Sequence, residues 1–210
     1  MKKPLVIVGA GGFAREVAWL AGRTGEWDLL AFVEDSPHCA LLNGTPVLTF
    51  DNAHSLHPGT NAVIAVGSTS GRKLLRERCL SLGFVDATLI DPSAIIGDRV
   101  QIGPGSVICA GVTITVDCHI GAAAHINLHS TLGHNVRFEE YVTVSPGANV
   151  SGWVTVKRGA FLGTGCQIID GKADDRLVVG EWATIAGGAC VIRNVEDGAL
   201  VAGVPAVRKK

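Results

Sequence analysis

The sequence predicts a chain of two parts, a short α/β domain over residues 1–86 and an all-β parallel β-helix over residues 87–210. Three observations predict it. The first part alternates short apolar runs with helix-like stretches. From Ile90 onward a large apolar residue recurs at every sixth position, at Ile90, Ile96, Ile102, Ile108, Ile114, Ile120, Ile126, Leu132, Phe138, Val144, Val150, Val156, Leu162 and Ile168. Four residues after most of these comes a small or β-branched one, such as Ser106, Cys118, Ala124, Ser130, Ala148, Ala160 and Cys166.

In chain order, residues 5–8 read as a buried strand, Gly9 to Gly12 as a turn, and residues 14–22 as a helix with Val17, Ala18 and Ala21 on one face. A second strand at 29–33 ends in Glu34 and Asp35. Further strands are expected at 46–48 and 62–66, followed by Gly67, Ser68 and a helix over 72–82. Strands alternating with helices imply a parallel sheet. The space allows only a truncated Rossmann-like domain, roughly half of a full dinucleotide-binding unit.

The second part is decided by its period. A helix of 3.6 residues per turn scatters a six-residue repeat around its circumference, and plain strand alternation does not call for a small residue at one phase only. Three six-residue edges that close a triangular coil meet both demands, each coil bonding to the ones above and below. Steps of six then move around the triangle and steps of eighteen move up it. The phase slips between Ile168 and Val179, so residues 170–176 form an irregular corner. After Val195 the pattern stops, and residues 198–210 are expected to leave the helix.

Composition narrows the function. A net charge of −1 offers no footprint for nucleic acid or anionic membrane. Despite a mean hydropathy of +0.34, polar residues interrupt every apolar run too soon for a spanning helix. The apolar run after Met1 is too short for a secretory signal. Six cysteines without CxxC spacing suggest neither a disulfide framework nor zinc. A cytoplasmic protein without membrane or nucleic-acid partners is expected.

The six-residue repeat together with the ending Ala202-Gly203-Val204-Pro205-Ala206 resembles the hexapeptide-repeat acyltransferases. The glycine-rich first part makes the chain similar to their sugar O-/N-acetyltransferase subfamily, which N-acetylates nucleotide-linked amino sugars or O-acetylates sialic acid. Left-handed coiling is what the resemblance implies, since periodicity does not set the hand and parallel crossovers ordinarily run right-handed. The resemblance also implies acetyl-CoA as co-substrate, no metal, and a homotrimer with active sites between subunits that acts on a sugar or nucleotide-sugar acceptor. The main expectation is N-acetylation of a nucleotide-linked amino sugar. Sialic-acid-type O-acetylation and a non-catalytic β-helix scaffold stand as alternatives.

In this family the catalytic base is a corner histidine, and the run Ile126-Asn127-Leu128-His129-Ser130-Thr131-Leu132-Gly133-His134 resembles its pattern at His134. A nucleophile attacking a thioester must lose a proton, and an imidazole accepts one near neutral pH. Gly152, one coil above His134, is the expected backbone oxyanion donor. Relatives often carry an acid directly after the histidine, whereas this chain has Asn135. Asp117, eighteen residues before Asn135, is expected to stack beneath it and supply charge. Asn127 matches a position near the acceptor amine. His119 and His125 are six apart, hence on different faces, which argues against a histidine metal site.

Gly9, Gly11 and Gly12 with Ala14 fit G-x-G-x-x-A, with Glu34 and Asp35 roughly twenty residues on. Taken alone this is a weak dinucleotide signal, and the chain has no room for a second mononucleotide half. The resemblance turns it into a nucleotide-sugar site, with the glycine turn near phosphates or sugar and Glu34, Asp35, Gly67 and Ser68 as contacts. Phe13 stands where some relatives have histidine. A purely structural strand-turn-helix is the competing explanation of these glycines. For acetyl-CoA, the resemblance implies Gly152, Gly163 and Thr164 near the pantetheine arm and Pro205 near the adenine.

Overall fold

The computed structural model describes residues 1–209. The chain divides into two compact units, Met1–Pro92 and Ser93–Lys210.

In the first unit, β1 (Lys3–Val8), β2 (Trp27–Val33), β3 (Leu41–Leu42), β4 (Thr45–Leu48), β5 (Asn61–Ile64) and β6 (Val85–Asp86) form one sheet in the order β3-β4-β2-β1-β5-β6. All pairings are parallel except β3 with β4. Helix α1 (Gly12–Thr24) buries Ala14, Val17, Leu20 and Ala21, the three-and-four spacing of a one-sided apolar stripe, and stops at Gly25 in the left-handed region. Helix α2 (Phe50–Leu56) is capped by Thr49 and α3 (Thr69–Ser81) by Ser68, each side-chain oxygen accepting from a backbone N–H three residues on. The core gathers Val6, Val8, Ala31, Val33, Phe50, Ala53, Ala62, Ile64 and Phe84.

The expected strands and the parallel sheet are present. The sequence reading misses α2, only seven residues long, β6, and β3 with its turn into β4, where Asn43 and Gly44 have φ of 51° and 82°. Helix α3 also begins earlier than the expected residue 72, because Ser68 caps it.

In the second unit, strands of two or three residues stack into three parallel faces. The first runs through Val107–Ile108, His125–Ile126, Thr143–Val144, Phe161–Leu162, Thr184–Ile185 and Leu200–Ala202. The second runs through Ile95–Ile96, Thr113–Ile114, Thr131–Leu132, Asn149–Val150, Gln167–Ile168 and Cys190–Val191. The third runs through Gln101–Ile102, His119–Ile120, Arg137–Phe138, Val154–Val156 and Leu177–Val179. Partners are eighteen apart, as in Val107↔His125 and His125↔Thr143. Ile108, Ile114, Ile120, Ile126, Leu132, Val144 and Leu162 are wholly buried, and so are Ser106, Ala124, Ser130, Ala148, Ala160 and Cys166 at the small phase. Bulky and small residues alternate because a narrow triangular interior admits one large side chain per edge.

At the slip, Val156 pairs with Val179, so residues 170–176 bulge from the coil at the corner between the second and third faces. The chain end corrects the expectation. Residues 198–209 do not simply depart: Leu200–Ala202 adds another parallel rung beside Thr184–Ile185, and Val207–Arg208 folds back antiparallel on it. Leu200 and Val201 are the apolar pair that continues the stack, and the returning strand covers the edge it would otherwise expose.

Candidate functional site

His134 sits on the corner between the second and third faces, directly after Leu132 and Gly133. Its side chain is exposed. Asn135 turns the corner with φ of 61°, in line with Arg99, Asp117 and Trp153 at the same corner of neighbouring coils, all in the left-handed region. Nδ1 of His134 lies 3.0 Å from Oδ1 of Asn135. The amide oxygen can only accept, so Nδ1 carries the proton and the Nε2 lone pair is left for a substrate proton.

One coil up, Gly152 makes room for the ring. A Cβ there would stand 2.5 Å from Cε1 and 2.6 Å from Nε2 of His134, so the imidazole lies against bare backbone. The Gly152 carbonyl accepts from Gly171, while among the described residues its N–H has no backbone acceptor. Trp153 packs edge-to-face on His134 with ring centroids 6.1 Å apart.

Asp117 is on this corner but is directed downward. Both its oxygens accept from Arg99, at 2.5 and 3.0 Å. The Arg99 bonds hold its carboxyl below the usual carboxylate range, with the charge of a protonated His134 as the smallest contribution. The carboxylate therefore faces its own cation, and only through space does it reach the imidazole. Arg99 was not singled out from sequence, although it lies one eighteen-residue step below Asp117.

Asn127, Gly163 and Thr164 lie on a different corner, between the first and second faces. The Asn127 amide is turned along the stack, Nδ2 donating to Val144 O at 2.7 Å. Gly163 packs tightly under Gly187, and Thr164 is exposed, its carbonyl accepting from Gly188. Pro205 is exposed in the terminal hairpin, after a cis peptide bond. His119 is exposed on the third face beside Gln101, whereas His125 is buried on the first. Among the described residues no group of three or more His, Cys, Asp or Glu side chains is arranged to hold a metal ion.

In the first unit the strand order reverses at β1, whose neighbours are β2 on one side and β5 on the other. Crevices at such a switch point take ligands at the carboxyl ends of strands. A cleft of about 190 Å³ lies there, lined by Val8, Gly9, Val33, Glu34, Asp35, Phe50, Val66 and Leu75. Gly9 has φ of 109°, and a Cβ would approach Ala65 O to 3.0 Å, so only glycine fits. Gly11 caps α1 without a side chain, Gly12 opens it, and Phe13 is half-buried on its first turn.

Glu34 is folded back on the turn, accepting from Ala10 N–H at 3.2 Å and lying 2.8 Å from His38 Nδ1. Asp35 pairs with Arg78, whose guanidinium lies over Phe50 at 4.0 Å. Gly67 is exposed, and Ser68 is occupied in capping α3. The structure thus brings Gly9, Glu34 and Asp35 to one cleft together with Phe50, Val66 and Leu75, which the sequence reading did not name.

A truncated nucleotide-binding unit and a hexapeptide-repeat β-helix with a corner histidine define a class, the acyltransferases of activated sugars. Residues 4–79 match the family described as the PglD N-terminal domain. The chain is 32% identical to GDP-perosamine N-acetyltransferase of Escherichia coli O157:H7, over 97% of this chain and 95% of that protein. WeeI from Acinetobacter baumannii AYE superposes with a TM-score of 0.93 at 29% identity, covering 99% of this chain and 100% of that one. A mutant perosamine N-acetyltransferase from Caulobacter crescentus, solved with CoA and GDP-perosamine, gives 0.91 at 30% identity, covering 99% and 97%. The chain belongs to the hexapeptide-repeat family of acetyl-CoA-dependent sugar N-acetyltransferases. Its β-helix is accordingly left-handed, and acetyl-CoA is its co-substrate.

Proposed function

We propose that His134 is the general base of an acetyl transfer from acetyl-CoA to the amine of a nucleotide-linked amino sugar, with the first unit recognising the nucleotide. The observation that carries this reading is the His134 ring itself, exposed at a corner, oriented by Asn135 and seated on Gly152. The amine attacks the thioester carbonyl as Nε2 takes its proton. The oxyanion accepts from the Gly152 N–H, which has no other backbone acceptor among the described residues. The carbonyl re-forms as the C–S bond breaks, and the departing thiolate takes the proton from His134. No covalent enzyme intermediate is required, because the thioester is already activated.

Gly9, Gly11 and Gly12 open the strand-to-helix turn to phosphate, at the N-terminus of a 13-residue helix with no acid in its first turn. Phe13 is read as a sugar contact, and Gly67 and Ser68, which follow β5 in the chain, as nucleotide-sugar contacts. Asp35 and the apolar cleft wall suit a base, while Asp117, held by Arg99, adds negative charge near His134 only through space. Acetyl-CoA runs past Gly152, Gly163 and Thr164 toward Pro205, and Asn127 holds the acceptor amine.

The working form is a cytoplasmic homotrimer. Asn127, Gly163 and Thr164 lie on one edge of the prism and His134 and Gly152 on the next, so one complete site draws on an edge from each of two neighbouring prisms. A cytoplasmic setting suits six free cysteines and a nucleotide-sugar substrate.

Release of free thiol from acetyl-CoA, followed with a panel of nucleotide-amino-sugars, tests the assignment. His134→Asn is expected to lower kcat by roughly 10²- to 10⁴-fold, the usual worth of a general base. Undiminished turnover would remove His134 from the chemistry.

A further inference from the structure

The repeat breaks once, and the break delivers an arginine to the corner that carries His134. The bulge is a closed loop: the Gly171 N–H donates to Gly152 O at 3.0 Å, and Lys172 and Asp175 exchange backbone hydrogen bonds at 2.9 and 3.2 Å. Arg176 then returns across two coils. Its Nη2 donates to the Asn135 carbonyl at 2.5 Å and to Val154 O at 2.9 Å, and its Nε donates to Thr155 Oγ1 at 2.7 Å. The guanidinium also lies over the Trp153 ring at 5.6 Å, and Trp153 is the ring packed against His134.

Asn135 is the residue whose side chain meets Nδ1 of His134, and it sits at a left-handed corner. With Trp153 donating to the His134 carbonyl, the carbonyl of Asn135 itself is held by Arg176. A planar cation with several fixed donors suits this task, since it engages two carbonyls and a hydroxyl at once while stacking on an indole. We propose that Arg176 is a positioning residue for the acetyl transfer, holding Asn135 and Trp153 so that the His134 ring keeps one orientation, and that this is what the interruption of the repeat is for.

This inference rests on His134 being the base. Four proteins separate the two ideas: wild type, His134→Asn, Arg176→Met and Arg176→Lys, each assayed for thiol release with both substrates varied and each checked for its thermal transition. Arg176→Met is expected to lower kcat about 10- to 100-fold, the loss seen when a reacting group is misplaced by an ångström, with KM for acetyl-CoA and for the amino sugar within about twofold. Arg176→Lys, which retains a donor for the carbonyls, is expected to fall between Arg176→Met and wild type. A higher KM for acetyl-CoA at unchanged kcat would make Arg176 a binding residue and overturn the proposal, as would wild-type kcat in both Arg176 variants. If Arg176→Met unfolds, kcat of Arg176→Lys decides: reduced supports the proposal, and unchanged overturns it. Full activity in His134→Asn would instead strike the base assignment.

Discussion

At the scale of single residues, the site depends on two glycines' worth of empty space and on one asparagine. A methyl group at residue 152 would occupy the space of His134 Cε1. Gly152→Ala is therefore expected to lower kcat about 10- to 100-fold by turning the ring, measured as thiol release at saturating substrates. At residue 9 the clash is with backbone, which cannot swing aside, so Gly9→Ala is expected to weaken the nucleotide end without touching the chemistry at the corner. Asp117 acts on His134 only through space, because its oxygens are engaged by Arg99. Asp117→Asn removes that negative charge and a partner of Arg99, so kcat in thiol release is expected to fall by less than it does for His134→Asn. An unchanged kcat would mean that Arg99 offsets the charge completely. The same pair has a stability signature. Its carboxyl is held below its ordinary value, so its contribution is complete above about pH 4, the unfolded carboxylate value. It is lost as pH falls through the lower, folded one.

At the scale of elements, each coil of the β-helix is held by its neighbours, and interior side chains carry the load. Ile126 is fully buried, and Ile126→Ala is expected to cost about 2–5 kcal/mol in a urea titration, since a narrow interior collapses poorly around a void. The cysteines report the same packing. Burial pushes the Cys79 and Cys166 thiols up to about 12, and Cys109 and Cys118 are buried too. A thiol reagent at neutral pH is expected to find at most Cys39 and Cys190 in the native protein and all six after unfolding. Reaction at Cys166 without denaturant would show that the coil opens. The bulge at residues 170–176 is the element whose role least resembles its appearance. In sequence it is a polar interruption, and in the structure Arg176 binds backbone on both coils beneath it.

At the scale of the whole molecule, the proposed homotrimer predicts a particle of three times the 21.8 kDa chain mass in light scattering. Specific activity is expected to fall on dilution below the dissociation range, whereas a fully active monomer would rule out a site shared between edges. The sequence by itself determined the architecture of the second unit and the place of His134, because the period-six pattern is an obligatory consequence of a triangular interior and acts as a ruler along the chain. It also determined the parallel sheet and the glycine turn, since strand-turn-helix punctuation is local chemistry. It marked the β3-β4 hairpin in Asn43-Gly44 and the start of α3 in Ser68, two signals that short-range propensity carries but longer patterns obscure. Only the tertiary structure decided that Glu34 folds back on the turn while Asp35 pairs with Arg78, that Asp117 answers Arg99, and that Leu200–Ala202 extends the stack. Only it decided that Arg176 reaches Asn135, forty-one residues earlier in the chain. The ruler locates backbone positions in the regular coils, but the bulge falls outside its period, and the partner of a long flexible side chain is chosen by whichever charges and open carbonyls the folded neighbours present.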